Sequence, residues 1–212
     1  MKKNNIIINE SKNYLIKEEN DFNLTILDNV NCQIMLQTKA SFCLDIKNNV
    51  RAIIKKLSLN YKGDSSIIIT GSNSFLSYIH HNINKEDSRF SLFLEDQKEN
   101  NKISIKINSL NYGKEAIVLK SKSDKAKYSN IEETCNLINL KDGFGQVEPI
   151  LEATSNLINL NHAMYEGTFK KSDIYYLNSK GLDQKKSIKL LSKGFILENF
   201  EEEEQFFEEN YE

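Results

Sequence analysis

The chain has 212 residues, a mean hydropathy of −0.52 and a formal net charge of −2, which suits one substantial core with a small appendage. No apolar run approaches the roughly 18–20 residues that a membrane span needs, and the apolar segment Ile6-Ile7-Ile8 behind Met1-Lys2-Lys3 is too short for a cleaved signal. Seven glutamates fall within residues 201–212, leaving +5 on the remainder, but the lysines are scattered and make no nucleic-acid footprint.

Residues 1–21 read as an N-terminal segment. From roughly Phe22 to Asn161 the apolar pattern is short and mostly of period two. Ser41-Phe42-Cys43-Leu44-Asp45-Ile46 and Lys102-Ile103-Ser104-Ile105-Lys106-Ile107 alternate, and Ser65–Gly71 and Arg89–Leu94 are similar runs bounded by Gly, Asn, Asp or Ser. This is the pattern of short β-strands. Asn136-Leu137-Ile138-Asn139-Leu140 recurs twenty residues later as Asn156-Leu157-Ile158-Asn159-Leu160, a period that suits one coil of a stacked β-solenoid with Leu over Leu inside and Asn over Asn at the corners. In that register Cys135 lies over Ser155. A straight strand then sets His162 about 23 Å from the Cys135 level, at roughly 3.3 Å per residue, with its side chain on the opposite face. Ser123 to Asn130 reads as a polar turn between strands.

The period changes after Gly167. Ser172 or Asp173 caps a short helix, and Gly181 supplies the left-handed residue that ends it. Asp183 caps a second helix that stops at Gly194, with Ile188, Leu190, Leu191 and Phe195 on its apolar face. An acidic helix or frayed tail follows from about Glu198. The expected organisation is a mainly β, right-handed β-helix or solenoid-like core over 22–166, a small C-terminal helical subdomain over 167–200 and an acidic tail over 201–212.

Three cysteines, Cys32, Cys43 and Cys135, form no CxxC pair. The odd count argues for a reducing compartment, cytoplasmic or an organelle stroma or matrix equivalent. There is no HExxH, no GxxxxGK[ST], and Gly143-Phe144-Gly145 lacks the strand–loop–helix context of a phosphate loop. No nucleophile–base–orienter set is visible either, so the chain reads as non-catalytic, with no nucleotide of its own. His80-His81 puts one ring on each strand face, a poor chelate. Cys32 and Cys43 read as core or edge residues.

One stretch is more specific. His162 is followed by Asp173-Ile174-Tyr175-Tyr176-Leu177-Asn178-Ser179-Lys180-Gly181-Leu182 and then Leu190-Leu191-Ser192-Lys193-Gly194-Phe195-Ile196. This order resembles the C-terminal signature of the SufB/SufD scaffold proteins of iron–sulfur cluster assembly, with Lys180 at a usual arginine. The resemblance is strong over about 115–200. Cys135 precedes His162 by twenty-seven positions, close to the cysteine-to-histidine spacing of SufB-like members. The resemblance implies that both residues lie where a nascent, transient iron–sulfur cluster is built, and thiolate and imidazole suit iron. SufB-like proteins carry glutamate directly after that histidine, whereas this chain has Ala163; Met164 departs from the small residue of SufD-like proteins, and Gly167 agrees with them. Glu166 and Glu152 are weak replacements for the missing carboxylate.

The same resemblance implies a SufC-like ABC ATPase docking on the terminal helices through Tyr175, Tyr176, Leu177, Gly181, Leu182, Leu191, Gly194 and Phe195. The bland reading of those side chains is that they pack on the end of the solenoid and cap its strands. The resemblance also implies pairing with a second copy or a SufB/SufD paralogue, and a core shortened by loss of N-terminal elements and coils. No nucleic acid and no membrane is expected as a partner. The rival readings are an interaction subunit of the same complex that has lost cluster ligation, a carbohydrate-active solenoid enzyme, for which no acidic ladder is found, and a purely structural solenoid.

Overall fold

In the computed structural model the described residues are 3–211 apart from Lys125 and Asn156, and the side chain of Glu201 is not described. Met1, Lys2, Asn156 and Glu212, which the leader, repeat and tail readings include, lie outside them. Fourteen strands run in chain order as β1 Asn4–Ile8, β2 Asn13–Ile16, β3 Phe22–Ile26, β4 Asn31–Leu36, β5 Phe42–Ile46, β6 Arg51–Leu59 and β7 Gly63–Ile69. They continue as β8 Phe75–Asn84, β9 Ser88–Asp96, β10 Lys102–Asn111, β11 Lys114–Ser123, β12 Asn130–Asn139, β13 Phe144–Ala153 and β14 Asn159–Gly167. Helices α1 Lys171–Ser179 and α2 Gln184–Leu197, a 3-10 turn Glu201–Glu203 and α3 Glu204–Asn210 complete the chain.

Odd strands form one seven-stranded sheet and even strands the other, each in sequence order, and every pairing is parallel. Each coil gives one strand to each sheet, so the fold is the expected mainly β solenoid. The stack begins earlier than the period-two pattern indicates, because β1 and β2 already form its first coil. The alternating side chains supply the core: Leu24, Ile26, Leu44, Ile46, Ile67, Ile69, Leu76, Ile103, Ile105, Ile117 and Ile131 are all at most 1% exposed between the two sheets. Burial of each such side chain contributes about 1.5–3 kcal/mol.

The coil is not of constant length. Asn4 lies beside Phe22, eighteen residues on, and Asn31 beside Arg51, twenty residues on. Lys102 lies beside Asn130, twenty-eight residues on, and Lys114 beside Phe144, thirty residues on. A period of twenty therefore holds only for early coils, and the proposed stacking of Asn136–Leu140 on Asn156–Leu160 is wrong. In the last coil Asn136 lies beside Tyr165 and Leu137 beside Glu166. The recurrence of Asn-Leu-Ile-Asn-Leu reflects shared composition at two different places in the coil.

The abundant asparagines do stack at corners, as expected, through other residues. Asn29, Asn49, Asn73 and Asn100 have positive φ of 54–63° and succeed one another up one edge, each backbone N–H donating to a carbonyl of the next coil. Asparagine tolerates this left-handed region better than other side-chain-bearing residues. Its amide also extends the ladder: Asn49 Nδ2 donates to Asn29 Oδ1 at 3.2 Å, and inside the wider coils Asn84 donates to Asn111 (2.9 Å) and Asn111 to Asn139 (2.8 Å).

The terminal helices do not cap the end of the stack. Ile196, Phe200 and Phe207 pack against Leu57, Ile83, Leu110 and Ile138, on the outer face of the even-numbered sheet. His81, on that face, joins its Nδ1 to the Ile196 carbonyl at 2.7 Å and lies 4.9 Å from the Phe200 ring. The His81 ring thus fastens α2 to the sheet. Asp183 caps α2 by accepting from the Lys186 N–H at 2.8 Å. Neither Ser172 nor Asp173 caps α1, whose N-cap is Lys170 without a side-chain bond. Gly194 does not end α2, which runs on to Leu197; only Gly181, at φ 91°, serves as the expected left-handed stop. The acidic tail is helical, held by the fully buried Phe207 and by pairs from Lys189 to Glu208 (2.7 Å) and from Lys193 to Glu204.

Candidate functional site

The last two coils bring together residues that a straight strand separates. In the β12–β14 pair Ile131 lies beside Leu160, Glu133 beside His162, Cys135 beside Met164 and Leu137 beside Glu166. Ile131, Glu133, Cys135 and Leu137 are the buried alternation of β12, so their partners in β14 share the inner face. Cys135 therefore lies beside Met164, not over Ser155. His162 is its diagonal neighbour, at a separation of about 7–8 Å between Cα atoms and on the same face. The corner between the strands makes the difference: it absorbs residues that a constant twenty-residue coil counts as strand.

The two sides of this pairing have different environments. Cys135 is 0% exposed and Glu133 3%, whereas His162 lies on an outermost strand and is exposed. Burial, with Glu115 and Glu133 adding to it, pushes the Cys135 thiol far above its ordinary range. A neutral thiol is a poor ligand, so iron binding there requires loss of the proton as the cation arrives. Burial likewise raises the Glu133 carboxyl, while a hydrogen bond from Ser121 and the proximity of His162 lower it. Ser121 Oγ donates to Glu133 Oε1 from the opposite sheet. Glu133 Oε2 has no hydrogen-bond partner among the described residues.

The weak carboxylates fall differently. Glu166 shares the inner face, and its Oε2 accepts from the Val147 N–H at 3.3 Å, which ties β14 to β13. Glu152 belongs to the other sheet and pairs with Lys120 at 2.8 Å. No three His, Cys, Asp or Glu side chains already converge to hold a metal among the described residues. Cys32 is a buried core thiol, pushed up to about 11 by burial, and Cys43 is half-buried.

Of the docking residues, Tyr175 and Tyr176 are 66% and 62% exposed, and none of the described residues of α1 is buried. Lys180 lies over the Tyr176 ring at 5.4 Å. Phe195 packs inward instead, edge-on to Phe169 at 6.1 Å, with its carbonyl accepting from Asn108. Leu177, Leu182 and Leu191 are half-buried, while Gly181 and Gly194 are exposed. Leu190, on the expected apolar face of α2, is half exposed and belongs to the open surface.

The chain is thus a parallel β-solenoid with a helical hairpin laid on one sheet, and its last two coils carry Cys135, Glu133 and His162. Residues 116–195, from β11 through most of α2, match the family model for "SUF system FeS cluster assembly, SufBD core domain". Over that segment, 80 of the 212 residues, the chain is similar to the SufB/SufD family, which supports a place in iron–sulfur cluster assembly by the SUF system. A search of curated proteins found no match. Among the described residues no helix is long and apolar enough to cross a membrane.

Proposed function

We propose that this chain is a scaffold subunit of a SUF-type assembly complex, non-catalytic itself, which holds a nascent iron–sulfur cluster as cargo at Cys135 and His162. The observation that carries the reading is the β12–β14 register, which sets those two residues on one face of the last two coils, inside the segment that matches the family model. The outer edges of β13 and β14 are the strand edges next to this site. An edge of that kind is a template for pairing with a second chain, and a two-fold pairing there, with itself or a paralogue, would bring two Cys135/His162 sets together.

The α1–α2 hairpin is the proposed dock for a SufC-like ABC ATPase. Tyr175, Tyr176 and Leu190 offer its outward apolar surface, while Ile188, Phe195 and Ile196 hold α2 in place. Aromatic residues exposed on a helix with no buried face suit a partner interface better than a core. ATP-driven movement of the docked subunits would open or reshape the interface at Cys135. The test is co-purification with an ABC ATPase expressed alongside: Tyr175→Ala with Tyr176→Ala should abolish it without lowering the melting temperature, and undiminished co-purification would reject the dock.

A second reading has its own support. Cys135 is wholly buried as a neutral thiol, and no three-residue metal group is formed among the described residues. Those observations favour an interaction subunit that keeps ATPase docking and has lost cluster ligation.

A further inference from the structure

Glu133 is a buried carboxyl with unfinished bonding. Its residue is 3% exposed, Ser121 of the opposite sheet occupies Oε1, and Oε2 has no hydrogen-bond partner among the described residues. An unsatisfied buried polar atom costs about 1–3 kcal/mol, and of the seven such side-chain atoms among the described residues Glu133 Oε2 is the one on β12. It lies directly beside His162 across the strand pair and two residues from Cys135 on the same inner face.

We propose that Glu133 is the carboxylate of the site, presenting Oε2 to a ferrous ion held by Cys135 and His162. The proposal rests on the functional reading above. It supplies from β12 the carboxylate that Ala163, Glu152 and Glu166 do not: Ala163 has none, Glu152 is paired with Lys120 on the other sheet, and Glu166 is engaged by the Val147 N–H. A hard carboxylate oxygen beside a thiolate and an imidazole is a donor set suited to iron(II).

The three groups do not converge as they stand, and the arrangement shows which one moves. Glu133 and Cys135 are fixed by packing, whereas the exposed His162 ring on the outermost strand has room to change rotamer toward them. Met164, partly buried beside Cys135, closes the apolar side. The cation thus assembles the site on arrival, drawing in one exposed ring, and the proton of Cys135 leaves to solvent.

Cobalt(II), a stand-in for iron(II) whose thiolate charge-transfer absorption reports on the cysteine, tests this on the full chain under anaerobic conditions. Wild type should bind and show that band. Glu133→Gln, which keeps the shape and the Ser121 contact, should weaken binding by about 10- to 100-fold, the range for losing a site-supporting partner, keep the band at saturation, and leave the melting temperature equal or higher. Cys135→Ala should lose the band, and His162→Ala should lose affinity. Unchanged affinity in Glu133→Gln, with Cys135→Ala and His162→Ala impaired, overturns the role of Glu133 and leaves the site reading standing. Binding that none of the three substitutions affects, or no binding by wild type, overturns both.

Discussion

His162 lies directly beside Glu133 in the parallel pair of β12 and β14, and that one register places it diagonally from Cys135, on the same inner face. Twenty-seven residues separate the cysteine and histidine in sequence, yet the coil between them returns the chain to within a strand spacing. The site is a product of coil length. Inserting one residue in the corner between β13 and β14 without disturbing the strands would shift nothing, whereas one inserted within β14 before His162 would turn that ring outward.

The fastening of α2 should depend on pH. Burial depresses His81 to about 4, with the bond to the Ile196 carbonyl opposing the shift, and the unfolded chain takes up its proton near 6.5. Because the folded value is the lower one, the stabilisation is fully present above about pH 6.5 and is lost as pH falls toward 4. Amide exchange in α2 should therefore accelerate between pH 6.5 and 4, and His81→Phe should flatten much of that dependence. His80, also depressed by burial, adds a fall in global stability over the same range.

Glu115 acts in the opposite direction. It is 3% exposed and receives hydrogen bonds from Asn82 (2.8 Å) and Ser109 (2.7 Å), yet burial raises it to about 7. A raised carboxyl stabilises the fold below its unfolded value near 4.5 and loses that contribution as pH climbs through 7, on the order of 3 kcal/mol in full. Chemical denaturation should show Glu115→Gln gaining on wild type as pH rises from about 4.5 to about 7, levelling off above that, and converging with it below about pH 4.5.

Lys56 is wholly buried, 3.4 Å over the Tyr61 ring, and burial lowers its amine to about 7. Its hydrogen bond to the Ala40 carbonyl at 3.3 Å does not offset the cost of dehydrating a charge. Lys56→Met should raise stability at neutral pH by about 1 kcal/mol or more, a gain of roughly 2–4 °C for a chain of this size. A lower melting temperature would mean that the amine has a partner role in the interior.

Corner residues carry a different signature. Asn49 has φ 54°, so Asn49→Val should cost about 1–3 kcal/mol from backbone strain, while Asn49→Gly should lose little beyond the 3.2 Å amide contact to Asn29. Urea denaturation separates the two.

The strands were legible because one buried residue in two is a local rule: Phe42-Cys43-Leu44-Asp45-Ile46 and Lys102–Ile107 alternate as they pack. The coil length was not, since it grows from eighteen to thirty residues and the growth is hidden in corners of ordinary polar composition. Asn136–Leu140 and Asn156–Leu160 look like one rung because Asn, Leu and Ile serve both corner and strand. For the site, Cys135 and His162 could be named from the resemblance, but their shared face and the part of Glu133 depend on a register no pair of short segments discloses. Glu133 had a faint signal of its own, a glutamate at an inward position between Ile131 and Cys135. His81 was missed because its partner, the Ile196 carbonyl, lies 115 residues away.

The acidic tail illustrates how packing outranks charge. Phe207 is 0% exposed, and Phe207→Ala should cost about 3–5 kcal/mol and expose α3 to proteolysis. Glu208→Gln, at an exposed pair with Lys189, should change little, and less still at high salt.

Anaerobic reconstitution with ferrous iron and sulfide, followed by visible absorption and Mössbauer spectroscopy, tests the scaffold role most directly. Wild type should acquire a cluster that Cys135→Ala does not, with both proteins equally folded. A cluster that forms as well on Cys135→Ala, or none on wild type while an ABC ATPase still co-purifies with it, would contradict cluster holding at the last two coils.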